Sequence, residues 1–430
     1  MNIQTDRAMV PAGHEAIRHL LVTVTAPGRT TASSRMPVHV SVVLDRSGSM
    51  GGRKIDLAKK ATSHALQLLG DRDRFAVTVY DDEVDALVDL TPATPQAKQL
   101  AESRLRGVDA RRNTDLSGGW QRGAASLADA PGSADIVRKV LLLTDGLANQ
   151  GETNPDALAA RATELRASGI LTTTFGLGAD FDENLLSRMA AAGGGHFYYI
   201  EQAAQIADVF ASELGETLEV VARDVRLVVS GGAGAAGGGM TMGCLHGFAS
   251  VTRMEAGPSG PAQVLEISLG HMVADQQITV AIAVRIPASE LGTRRTAEVR
   301  VADRDGRLYP QPLPVEWLVV DAAQDASQPI GKTVLAEVAM LVAEDARLRA
   351  LDANRRGDFT KARAILREAV EVIRALGPAI TRVTAIADAL EAEVGDFEVQ
   401  MDSMVSKRRH SASTNVQFSR SAQGRARRQS

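Results

Sequence analysis

A run of apolar residues, Val38, Val40, Val42, Val43 and Leu44, ends abruptly in Asp45-Arg46-Ser47-Gly48-Ser49-Met50, and this junction constrains the fold more than any other stretch. Both faces of the run are apolar and β-branched residues dominate it, so it reads as a buried parallel strand. The polar cluster then falls at the strand's carboxyl end, where open α/β sheets place their ligand sites. Asp45, Ser47 and Ser49 offer one carboxylate and two hydroxyls, and Gly48 lets the loop turn sharply. All three are hard oxygen groups, suited to Mg²⁺ or Ca²⁺ rather than to a soft metal. One loop cannot close a six-oxygen shell, so the rest of the chain must complete it.

The surrounding pattern supplies a setting. From residue 37 to 214, strands at 75–80, 140–144, 170–177 and 196–200 alternate with helical periods at 54–69, 95–107, 116–128, 155–168, 182–192 and 203–214. Residues 84–90 read as the hairpin partner of 75–80. The alternation predicts a doubly wound, mostly parallel α/β sheet covered on both faces. Residues 215–325 change to short strands separated by Gly and Pro, an antiparallel β-sandwich pattern. The N-terminal segment 1–36 holds a lone strand at 20–25 that needs a sheet to join, and the sandwich is the natural host. A polar Ser/Thr/Arg linker follows that strand, and Gly231–Gly239 reads as a flexible loop. Residues 326–400 turn helical, with 353–369 resembling one tetratricopeptide-like hairpin, a unit that cannot stand alone. Residues 401–430 lack apolar periodicity and read as a basic, disordered tail.

Composition limits the function. At 430 residues the chain needs two or three domains. Its net charge of −4 gives no bulk attraction to nucleic acid or anionic membrane. The tail carries seven basic residues against one acid, +6, which leaves −10 on the rest. Cys244 is the one cysteine, so no internal disulfide forms and a reducing compartment is expected. The N-terminus lacks a signal-peptide pattern, and no apolar run reaches membrane-spanning length, so a soluble cytoplasmic protein is expected.

Two further junctions offer hard ligands. Thr114 precedes the helical period at 116, and Asp145 ends the second buried run, Val140-Leu141-Leu142-Leu143-Thr144. In a parallel sheet Asp45 and Asp145 emerge on the same edge. The set holds two carboxylates and three hydroxyls, which leaves a divalent cation short of ligands. Asp45, Ser47 and Ser49, then Thr114, then Asp145 match the metal-ion-dependent adhesion site of the von Willebrand factor type A (VWA) family, which the chain resembles over residues 37–213. More loosely, its layout resembles bacterial proteins that follow this domain with a sandwich, and the heavy chains of inter-alpha-trypsin inhibitor. The resemblance implies Ser47 and Ser49 as direct ligands of Mg²⁺ (or Ca²⁺ or Mn²⁺), with Asp45 and Asp145 acting largely through water and Thr114 at a variable distance. It also implies a non-enzymatic module that binds a protein partner through that partner's Glu or Asp, and a last helix, near 203–214, that moves in switching members.

Other signals carry less. Ala326 to Thr333 resembles a phosphate-binding loop with Lys332 in the lysine position, which leaves a metal-dependent hydrolase or an NTPase as the rival reading; no later strand ends in a metal-holding Asp. His14-Glu15-Ala16-Ile17-Arg18-His19 puts its second histidine one residue late for a zinc helix. His196 reads as a strand-edge residue, Asp81, Asp82, Glu83 and Asp85 as a solvated strand end, and Cys244 beside His246 as a small packed or exposed thiol. The arginine-rich tail lacks aromatics for base stacking beyond Phe418.

Overall fold

The computed structural model describes residues 1–28, 35–111, 113–128, 135–232, 239–257, 260–306, 308–309 and 311–428. The polar linker at 29–34, Arg112 and residues 233–238 of the glycine-rich loop lie outside the described residues. The chain forms two compact units: Met1–Pro27 with Ala222–Asp402 and Ala412–Ser430, and Gly28–Val221 with Ser403–Ser411. The α/β unit is therefore an insertion in the chain of the other.

Strands β1 (Asn2–Thr5), β2 (Met9–Pro11) and β3 (Ala16–Thr25) open the chain and belong to the first unit. The α/β unit follows with β4 (Val38–Asp45), α1 (Arg53–Gln67), β5 (Arg74–Tyr80), β6 (Val84–Pro92), α2 (Pro95–Arg106), α3 (Leu116–Ala128), β7 (Val137–Thr144), α4 (Pro155–Ala167), β8 (Ile170–Leu177), α5 (Glu183–Ala192), β9 (Gly194–Ile200) and α6 (Ile206–Leu218). Its six strands run in the order β6-β5-β4-β7-β8-β9. Every pairing is parallel except that of β6, which folds back antiparallel on β5. Local chemistry sets the helix limits. Thr94, Asn154 and Asp182 cap the N-termini of α2, α4 and α5 through their side chains, and Pro95 and Pro155 occupy the first helical positions.

β4 is buried along its whole length, as both-face apolarity requires. One face packs Val43, Val140 and Leu142 against Leu116, Trp120, Ala124 and Leu127 of α3 and against Leu185, Leu186 and Met189 of α5. α3 lies very close to the sheet because two glycines face it. A Cβ on Gly119 would stand 2.4 Å from the Tyr80 ring, and one on Gly123 2.3 Å from Val43 Cγ2. That close approach seats the N-terminus of α3, and Thr114 just ahead of it, at the carboxyl edge of the sheet.

In the first unit β10 (Val220–Gly231), β11 (Thr241–Cys244), β12 (Ser250–Gly257), β13 (Gly260–Val273), β14 (Gln277–Ile286), β15 (Arg294–Ala302) and β16 (Leu313–Val320) join the first three strands. They form a four-stranded sheet, β1-β3-β14-β11, and a six-stranded sheet, β12-β13-β10-β15-β16-β2. β1 with β3, β3 with β14, β14 with β11, β12 with β13, β10 with β15 and β15 with β16 pair antiparallel, and β2 pairs parallel with β16. Helices α7 (Ala322–Ser327), α8 (Lys332–Arg355), α9 (Phe359–Leu376) and α10 (Thr381–Ala392) follow. α8, α9 and α10 share one apolar cluster. Val334, Val338 and Leu341 of α8 also pack on Leu21 and Ala281 of the four-stranded sheet, so the helical hairpin does not stand alone.

The tail corrects a sequence expectation. Within the described part of the tail, 401–428, Ser403–Gln417 forms helix α11 where a disordered chain was expected. In the α/β unit Lys407 is buried, donates to Glu183 Oε2 at 2.6 Å, and sits 4.2 Å over the Phe181 ring. In the first unit Gln277 N–H donates to Arg427 O at 2.8 Å, and Ser419 Oγ accepts from Thr279 N–H at 2.9 Å. Polar residues are ordered here by partners more than a hundred positions away, which composition does not register.

Candidate metal centre

The β4–β7 register pairs Leu44 with Leu143, so both strands end at the same edge with Asp45 and Asp145 just beyond. Asp45 is fully buried. Its Oδ1 accepts from Ser47 N–H at 2.7 Å and its Oδ2 from the Thr144 hydroxyl at 2.6 Å. Burial pushes its carboxyl up to about 6, helped by the negative charge of Asp145 and opposed by the Ser47 and Thr144 bonds. Ser47 Oγ stands 3.1 Å from Ser49 Oγ, and Ser49 Oγ donates to Asp145 Oδ1 at 2.6 Å. Asp145, also fully buried, pairs through Oδ2 with the Lys54 ammonium at 2.5 Å.

Thr114 arrives from the α3 side. Asn149 Oδ1 accepts its N–H at 2.9 Å, and its own carbonyl accepts from the Asn149 and Gln150 amides. Gly146 locates its hydroxyl. A Cβ there would stand 3.4 Å from Ser49 Oγ and 3.6 Å from Thr114 Oγ1, so glycine keeps open a cradle that a methyl group would line. The structure thus brings all five sequence-predicted side chains to one place. The donors are hard oxygens only, two of them on buried carboxylates, and one carboxylate already attracts a cation of the chain itself. This set fits a small divalent cation.

Comparison with known proteins identifies the family of this stretch. The family model for the von Willebrand factor type A domain matches residues 39–212. Those residues are a von Willebrand factor type A domain. The uncharacterized protein YfbK of Escherichia coli is 27% identical over 186 residues, 43% of this chain and 32% of that protein. Human inter-alpha-trypsin inhibitor heavy chain H4 is 31% identical over 166 residues, 37% of this chain and 18% of that one. This chain therefore spans a third or less of the length of these relatives. Among solved structures, a von Willebrand factor type A protein from Catenulispora acidiphila superposes with a TM-score of 0.67 at 19% identity, covering 93% of this chain and 96% of that one. The ArnB paralog VWA2 from Sulfolobus acidocaldarius gives 0.58 at 15% identity, covering 97% of each chain. At such identities these two likenesses speak for the fold alone. VWA domains typically hold a divalent metal and mediate protein–protein interaction.

Around the VWA centre the structure adds residues that sequence reasoning missed. Thr144 bonds Asp45, Lys54 neutralises Asp145, and Asn149 fixes the Thr114 backbone. Thr144 stands beside Asp145 in sequence, and Lys54 lies in the first turn after the loop, so both positions were visible; their targets were not. At the acidic strand end Asp81 is buried, whereas Glu83 and Asp85 are exposed to solvent, and all three are ion-paired. Arg46 reaches Asp81 at 3.2 Å and Asp85 at 2.5 Å, and Arg111 reaches Asp81 at 2.6 Å and Glu83 at 2.9 Å. The loop ahead of Lys332 makes no phosphate cradle. Gly331 N–H donates to Asp6 O at 2.7 Å, and Gln328 Oε1 accepts from Met9 N–H at 2.8 Å, so the loop is fastened to the N-terminal strands. Among the described residues no helix is long and apolar enough to cross a membrane.

Proposed function

We propose that the VWA domain is a non-enzymatic, cation-dependent protein-binding module. Asp45, Ser47, Ser49, Thr114 and Asp145 would hold Mg²⁺, with Mn²⁺ or Ca²⁺ as substitutes. Bound there, the cation supplies a Lewis-acidic point for a Glu or Asp oxygen of the partner protein. The observation that carries this reading is the convergence of two strand-end loops, after β4 and β7, and the loop between α2 and α3 on one all-oxygen cradle with two fully buried carboxylates. The groups that bond the cradle are hydroxyls, backbone amides and an ammonium, which orient carboxylates but do not serve as a general base near pH 7. The loop before Lys332, closed on Met9 and Asp6, supports this reading over an NTPase. A cytoplasmic setting belongs to the same proposal and is supported by the single, unbridged Cys244.

Affinity capture from a lysate in Mg²⁺, in EDTA, and with Asp45→Ala tests it. Partners should be retained only by the wild type in Mg²⁺. Capture that survives both EDTA and Asp45→Ala overturns the bridging mechanism.

A further inference from the structure

At the opposite side of the VWA sheet's chemistry, three side chains that the proposed function does not use converge between β9 and α6: His196, Glu213 and Glu216. Their ligating atoms all lie within 4.8 Å of one another. His196 Nδ1 stands 3.1 Å from Glu213 Oε2. Glu213 and Glu216 are one helical turn apart, so both project from the same face of α6. Glu213 is fully buried and its carboxylate is held rigidly. Lys139 Nζ and the Thr173 hydroxyl donate to Oε1 at 2.6 and 2.8 Å, and the Tyr198 hydroxyl donates to Oε2 at 2.7 Å.

We propose that His196, Glu213 and Glu216 form a second metal site, of the zinc class. With Zn–N of about 2.0–2.1 Å and Zn–O of about 2.0–2.2 Å, neighbouring ligand atoms in a tetrahedral shell stand roughly 3.3 Å apart. The His196–Glu213 pair already has that spacing, and a ligating oxygen of Glu216 lies within 4.8 Å of both. One imidazole and two carboxylates suit Zn²⁺ over Mg²⁺ or Ca²⁺, which take oxygen shells. Binding uses the Nδ1 lone pair, which the neutral ring offers in its Nε2–H tautomer; an imidazolium reaches it by releasing the Nδ1 proton to water, and the Nδ1–H tautomer by losing that proton to water and taking one up at Nε2. Lys139, Thr173 and Tyr198 then act as the outer partners that orient a ligating carboxylate. Lys139 lies against Glu213 Oε1 at 2.6 Å, which leaves Oε2 as the oxygen turned toward His196. The His196 side chain is 27% exposed, which gives the ion a way in and water a fourth position. An ion here ties α6 to β9 directly. The two sites of the domain are thus separated by donor chemistry: oxygen only at Asp45, mixed nitrogen and oxygen at His196.

The test is titration of the full chain with ZnCl₂ by calorimetry at pH 7.5, in two backgrounds: Asp45→Ala, and wild type in excess Mg²⁺. One Zn²⁺ should bind in each. Adding His196→Ala or Glu216→Gln should weaken that binding at least tenfold, and the rise in Tm that Zn²⁺ gives the Asp45→Ala chain should vanish with His196→Ala. Glu213 is left intact because removing it strands Lys139 in the interior. No Zn²⁺ bound in either background, or binding unchanged by both substitutions, overturns the proposal and leaves the cluster as a buried ion-pair network. Loss of Mg²⁺-dependent partner capture with Zn²⁺ binding retained would count against the function proposed above and not against this site.

Discussion

Lys54→Met removes the ammonium that holds Asp145 when no metal does. Asp145 is fully buried and its other oxygen already accepts from Ser49, so the variant leaves a buried carboxylate with one partner fewer. A hydrogen bond to a charged group is worth about 1.5–3 kcal/mol. The Lys54 side chain is 34% exposed, and solvent screening reduces that to about 1–2 kcal/mol. A divalent cation must displace this contact in the wild type and has nothing to displace in the variant. The metal-free state alone is destabilised, so Mg²⁺ should bind about 5- to 30-fold more tightly to Lys54→Met, at about 1.4 kcal/mol per factor of ten. Calorimetric titration with Mg²⁺ reads the change directly. Melting gives the complement: the variant should melt lower than wild type in EDTA, and the gap should close in saturating Mg²⁺. Lys54→Arg, which keeps the charge, should behave as wild type. An Mg²⁺ affinity for Lys54→Met that is unchanged or weaker refutes the competition and makes Lys54 a bystander or a helper of the loaded site.

Three other substitutions probe how the centre and its supports are built. Thr144→Val deletes the hydroxyl that donates to Asp45 Oδ2 inside the core and should cost about 1–3 kcal/mol in urea unfolding, with Thr144→Ser restoring most of it. Gly119→Ala drives a methyl into the Tyr80 ring and should cost about 1–3 kcal/mol of stability and displace Thr114, seen as weaker Mg²⁺ binding; a stable variant with normal binding would show that α3 can retreat. His246, in the first unit, is held down to about 3 by burial first and Arg427 second, while its Nδ1 accepts from Ala281 N–H. An unfolded-chain imidazole takes its proton near 6.5 and the folded one only near 3, so stability is fully present above pH 6.5 and falls at about 1.4 kcal/mol per pH unit as pH drops toward 3. His246→Asn should flatten the stability profile between pH 6.5 and 4.5 by roughly 2–3 kcal/mol, measured by urea unfolding at each pH.

The strand ends were legible in sequence because their information is local. Val42-Val43-Leu44-Asp45 and Leu141 to Asp145 each state where a buried strand stops and a ligand begins, and the parallel pairing of β4 with β7 then sets both aspartates on one edge. What stayed hidden was long-range. Lys54 meets Asp145 across 91 positions and Thr144 meets Asp45 across 99, and nothing in their neighbourhoods names those targets. The tail failed for the same reason: Lys407 is read as a solvated charge until Glu183, 224 positions earlier, is folded beneath it. His196 does lie in the edge strand β9, as its sequence suggested, but its neighbours were hidden too. As a strand residue beside Phe197 it looked inert, because Glu213 and Glu216 face it only once α6 is laid against β9.

The charges at the oxygen site argue for how the proposed binding is coupled. In the metal-free centre Lys54 neutralises one of the two carboxylates, and burial raises the other to about 6, which leaves it about nine-tenths ionised at pH 7. Counting the Lys54 ammonium, which stays beside the site when a cation displaces its direct contact, the cradle therefore offers about one net negative charge near pH 7 to offset two positive ones. A partner's carboxylate supplies the missing charge as well as a ligand oxygen, so each of cation and partner should tighten the other's binding by the same factor, as linkage requires. Mg²⁺ titration with and without an excess of a captured partner measures that factor from one side, and partner titration with and without Mg²⁺ measures it from the other. Two equal factors above ten support direct bridging, whereas a factor near one places the cation in the loops and the partner elsewhere.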